Sequence, residues 1–110
     1  MEEVSSILRT CGITSKYKGY DYIKDVSHLL CQKYRTTGVL EFDRSMYQII
    51  ADKYNVSISI IERNIKTVIE RCIANKRQFV EDVLGYKIMK CPKNSEFLEA
   101  LVLYVIDVTG

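Results

Sequence analysis

The chain has 110 residues, 47% of them hydrophobic and 27% charged, with a formal net charge of +2. That length holds one hydrophobic core, and the composition excludes a disordered or collagen-like chain. A charge so near balance gives no broad basic field, so any case for nucleic acid rests on where the charges lie.

The N-terminus, MEEVSSILRT, lacks the basic start and apolar run of a signal peptide, and no stretch approaches the roughly 20 apolar residues of a membrane span. The four cysteines, Cys11, Cys31, Cys72 and Cys91, include no C-x-x-C pair, and His28 is the one histidine. That spacing gives no zinc site, and reduced thiols in a cytoplasmic protein are expected.

In chain order, Val4, Ile7, Leu8 and Cys11 stand at helical spacing and Gly12 supplies a stop, which predicts a short first helix. A loop from Ile13 to Gly19 carries Lys16, Tyr17 and Lys18, a basic and aromatic cluster at a helix entrance. Tyr20 to Tyr34 repeats apolar residues every three or four places and predicts about four turns of helix with His28 beside the buried stripe. The stretch from Arg35 to Gly38 reads as a turn, and Val39 to Phe42 as a connector.

Asp43 is placed to cap a helix over Arg44 to Tyr54, with Met46, Tyr47, Ile50, Ala51 and Tyr54 inward and Gln48, Asp52 and Lys53 outward, toward any bound DNA backbone. After Asn55-Val56-Ser57 a longer helix begins near Ile58, and Asn75-Lys76-Arg77 closes it with charge that suits a helix C-terminus. Phe79, Val80, Val83 and Leu84 predict a further short helix ended by Gly85, followed by an exposed loop from Tyr86 to Lys93. Asn94 is expected to cap the last helix, in which Phe97, Leu98, Leu101, Val102, Tyr104 and Val105 form a wide apolar face. The expected fold is therefore all-α, about six helices around one core, with no internal repeat and no linker between domains.

The two helices meeting at Asn55 form a helix-turn-helix candidate. At about 100 degrees per residue, Ile61, Ile65, Val68, Ile69 and Cys72 fall on one side of the second helix and must face the core. Ser59, Glu62, Arg63, Lys66 and Thr67 fall on the other, in the early turns that reach base edges when such a helix enters a major groove. Asn55 tolerates a left-handed backbone, Val56 can plug the corner, and Ser57 or Ser59 can cap. Against the motif, Asn64 stands where many such pairs place an apolar residue.

From Gly12 to about Val105 the sequence resembles the C-terminal DNA-binding domain of stage-zero sporulation protein A, a response regulator of Firmicutes. Five segments in order carry the resemblance: Lys18-Gly19-Tyr20-x-Tyr22, Ile50-Ala51-x-Lys53-Tyr54-Asn55, Ser59-x-Ile61-Glu62-Arg63-x-Ile65, Leu84-Gly85-Tyr86, and Pro92-x-Asn94-Ser95-Glu96-Phe97. It implies an all-helical effector domain with a helix-turn-helix and no cofactor. Family members bind short boxes in double-stranded DNA, often as tandem dimers, and contact RNA polymerase sigma factor.

The family's base-reading Glu-Arg pair falls on Glu62 and Arg63. Glutamate can accept from the cytosine amino group and arginine can grip guanine O6 and N7, so the pair suits a step containing C·G. Lys66 replaces a usual arginine, Ile60 another, and Thr67 a usual histidine, which lowers the number of backbone contacts. Full-length members also carry a receiver domain, for which 110 residues leave no room.

The expected function is thus a sequence-specific transcription regulator reading DNA through Ser59, Glu62, Arg63, Lys66 and Thr67. The alternative is a receiver-less protein-interaction module that modulates sigma factor or a full-length paralogue. With one histidine, no phosphate-cradling glycine loop and no nucleophile beside a base, enzyme chemistry and metal binding are not expected.

Overall fold

The computed structural model describes residues 2–109. Five α-helices occupy them: α1 Glu2–Thr10, α2 Lys18–Thr37, α3 Ser45–Tyr54, α4 Ile58–Leu84 and α5 Asn94–Thr109. Strands are absent among the described residues, so the chain is all-α.

The count is five rather than six because the two helices expected on either side of Asn75-Lys76-Arg77 are one. Lys76 alone leaves helical geometry, at φ −145° and ψ 57°, and the helix resumes at once beyond it. Both sides have reason to continue. Val80 and Val83 are buried in the same core as Ile69 and Cys72, and Arg77 on the far side pairs with Glu81 at 3.7 Å while donating to the Ile88 carbonyl. Glu81 in turn accepts from the Ile88 N–H at 2.8 Å, which folds the following loop onto the helix and buries Ile88. A kink therefore replaces the predicted chain break.

Two other boundaries differ from expectation. The residues Arg35 to Thr37 extend α2, whose C-terminal carbonyl at Tyr34 is met by the N–H of left-handed Gly38 at 2.8 Å. At the start of α5, Asn94 does not cap. Lys93 occupies that place, its N–H donating to Glu96 Oε1 at 3.1 Å, because the Asn94 side chain is committed elsewhere, to the Glu62 carbonyl of α4 at 3.0 Å.

The long α4 packs against α2, α3 and α5, and α2 also meets α1, α3 and α5. The predicted inner row of α4, Ile61, Ile65, Val68, Ile69 and Cys72, is wholly buried. Asn64 next to it is half-buried with its amide donating to the Ile60 carbonyl at 2.8 Å. The polar side chain is accommodated by that bond, and the backbone of α2 comes close to the main chain there: a Cβ added at Gly19 would lie 2.4 Å from the Asn64 carbonyl oxygen. His28, beside the buried stripe of α2, is exposed.

Candidate nucleic-acid interface

Helix α3 stops where its sequence says it should. Asn55 adopts the left-handed conformation, φ 55° and ψ 49°, and the Val56 N–H returns to the Ala51 carbonyl at 3.0 Å while the Asn55 N–H meets Asp52. This pair of bonds satisfies two carbonyls that the helix end leaves open. Half-buried Val56 packs on the core, and Ser57 Oγ accepts from the Ile60 N–H at 3.3 Å, so α4 starts immediately. At the front of α3, the Asp43 carboxylate accepts from the Ser45 N–H at 2.8 Å, and these Ser45 hydrogen bonds hold its pKa below the usual carboxylate range.

The turn leaves the first part of α4 with one face in the core and the other in solvent. Ser59, Arg63, Lys66 and Thr67 are exposed and Glu62 is half-buried. Four of these, Ser59, Glu62, Arg63 and Lys66, line one open groove of about 810 Å³ between the beginnings of α3, α4 and α5. Thr67 does not line it. One turn beyond Arg63, its hydroxyl donates to the Arg63 carbonyl at 3.0 Å and is spent on its own helix.

The far walls of the groove come from residues that sequence reasoning passed over. Arg44, at the front of α3, reaches Glu62 Oε1 at 3.0 Å. Lys93, Asn94 and Ser95 approach from the start of α5. Beneath them Tyr47 is almost fully buried; burial pushes its phenol up, while a hydrogen bond with Asn94 acts the other way. Glu99 on α5 accepts from the Phe42 N–H at 2.8 Å and fixes the connector that leads into Arg44. The pairing of Arg44 with Glu62 spans two helices, so no spacing rule within one element could have found it. Opposite charge at the front of the first helix and early in the second is the one signal that was available.

The three side chains expected outward on α3, Gln48, Asp52 and Lys53, are exposed, and each is bonded to a neighbour. Lys53 Nζ bonds Asp25 Oδ2 of α2 at 2.8 Å, and Gln48 donates to Asp52 at 2.8 Å. The groove is therefore basic through Arg44, Arg63, Lys66 and Lys93, set against Glu62 and Glu99. Among the described residues no group of three or more His, Cys, Asp or Glu is placed to hold a metal ion, and no helix is long and apolar enough to cross a membrane.

No solved structure matches the chain. A family model does, that of the sporulation initiation factor Spo0A C terminal, over residues 4–105. That span takes in all three walls of the groove and nearly the entire core, and the chain belongs to the Spo0A C-terminal family of DNA-binding, sporulation-regulating domains.

Proposed function

We propose that the protein is a sequence-specific transcription regulator that places α4 in a DNA major groove, with α3 and α4 acting as a helix-turn-helix. In this reading Glu62 and Arg63 read base edges and Ser59 and Lys66 lie along the strands, with Thr67 near them at the edge of the groove, its hydroxyl already donated to α4. The observation that carries it is the two-sidedness of α4: a fully buried apolar row behind, and in front an open, net basic groove where Arg63 and Lys66 stand outside every ion pair formed among the described residues. An α-helix offered this way fits the width of the major groove, and its early turns go deepest.

Selection from a random duplex library tests the reading, since it returns one enriched box if the helix reads sequence and none if it does not. With that box in hand, Arg63→Ala should lose about 1–3 kcal/mol and relax preference at one base pair. Lys66→Ala should weaken all duplexes alike and lower the salt slope by about one. Equal affinity for the box and its shuffled counterpart would refute the proposal.

Beyond DNA, the partners proposed with this reading are a second copy on tandem boxes and RNA polymerase sigma factor, in the cytoplasm. Outside the groove, Met89 in the loop after α4 is 92% exposed, and we place such contacts there as part of the proposal. The same surface would serve the alternative of a protein-interaction module. Complex formation with sigma factor on DNA lacking any box would favour that alternative.

A further inference from the structure

The pair formed by Arg44 and Glu62 does little for the fold. Its side chains are 68% and 39% exposed, and ion pairs of that exposure contribute little to stability. Its placement is more telling. It joins the front of α3 to the early part of α4 across the groove, on a carboxylate that would otherwise face a polyanion alone.

A carboxylate approaching DNA is repelled by the phosphates, and it gains specificity only if one oxygen is aimed at a base amino group. Arg44 addresses both difficulties. Its guanidinium cancels the charge locally, and its ion pair with Oε1 at 3.0 Å restricts the rotation of the carboxylate. The main chain below is held too, because Asn94 donates to the Glu62 carbonyl at 3.0 Å. We propose that Arg44 is a positioning and specificity-determining residue: it orients Glu62 and neutralises it, so that the carboxylate's other oxygen can accept from a cytosine amino group. The proposal rests on the DNA-reading function and adds a residue outside the reading helix to it.

The test is a double-mutant cycle in DNA binding. Wild type, Arg44→Ala, Glu62→Gln and the double variant are measured on the selected box and on boxes changed at each single base pair, with thermal melting as the control for folding. The expected result has three parts. Arg44→Ala melts close to wild type; its preference at the base pair read by Glu62 shrinks about tenfold while preference at the pair read by Arg63 persists; and Arg44→Ala has no further effect once Glu62 is glutamine. Arg44→Lys, which keeps the charge but not the fork, recovers affinity more than preference.

A uniform loss on all duplexes that persists in the Glu62→Gln background would overturn the proposal, since Arg44 would then be a plain phosphate contact. Unchanged preference in Arg44→Ala overturns it as well, with the DNA-reading function intact. If wild type itself selects no box, that function fails and the proposal falls with it.

Discussion

Gly19 of α2 sits against the backbone of Asn64 in α4, so close that a Cβ added to it would lie 2.4 Å from the Asn64 carbonyl oxygen and 2.6 Å from Val68 Cγ2. The atoms met are a main-chain oxygen and a buried methyl, neither of which can swing aside. Alanine in place of a helical glycine ordinarily gains up to about 1 kcal/mol. Here overpacking dominates, and Gly19→Ala should lower stability by about 1–3 kcal/mol in urea denaturation. The exposed face of α4 should move with it, so on the proposed DNA-reading role the same variant should also bind DNA less tightly.

Asp25 of α2 accepts from the Tyr54 hydroxyl at 2.6 Å and from Lys53 Nζ at 2.8 Å, tying α2 to the end of α3. The two bonds differ in worth because the tyrosine is half-buried and the lysine is mostly exposed. Tyr54→Phe should cost about 1–1.5 kcal/mol and Lys53→Ala less than about 1 kcal/mol. Asp25→Ala should exceed either, since it leaves the tyrosine hydroxyl without its acceptor. Denaturation of the three variants under one condition checks the order.

Asn55 bears a left-handed backbone that most side chains resist. Asn55→Ala should cost about 1 kcal/mol, whereas Asn55→Gly should stay within about 0.5 kcal/mol of wild type. The opposite order would mean that the asparagine side chain, rather than its tolerance of positive φ, holds the turn.

Alkaline pH should weaken the fold through Tyr47 and Tyr54. Burial is the leading cause that pushes both phenols up, assisted at Tyr54 by the Asp25 carboxylate. With folded pKa values above the unfolded ones, their contribution is complete below about pH 10 and is lost as pH rises toward the folded values. Tyr20 shifts in the opposite sense, led by its hydrogen bond with Ser5, and opposes part of the effect. Stability measured between about pH 9 and about pH 11 should fall, and fall less steeply in Tyr54→Phe.

Periodicity made most of this fold legible. The inner row of α4 could be read directly because a helix repeats its faces, and Asn55-Val56-Ser57 because few sequences satisfy a left-handed end and an immediate new start. Lys76 misled because charged residues near a helix C-terminus look alike whether the chain breaks or bends. What distinguishes the two is Glu81 and Arg77 gripping Ile88, a contact with a loop that has no period. Asn64 looked unsuitable because a period registers polarity and not the partner: its amide is satisfied by the Ile60 carbonyl one turn earlier. At the groove, the exposed side of α4 was readable and its opposite walls were not. Arg44, Lys93 and Asn94 arrive there only through the crossing of α3 and α5 with α4.

Of the four thiols, Cys11, Cys31 and Cys72 are enclosed and Cys91 alone is exposed, in the short segment that becomes a wall of the groove at Pro92. Alkylation of the native protein should therefore mark one site, slowly at neutral pH, because burial and the nearby Glu70 raise that thiol's pKa. A fluorophore attached there would stand beside Glu70 and Lys66 of α4 and, if the groove is where DNA docks as proposed, would report the arrival of a duplex.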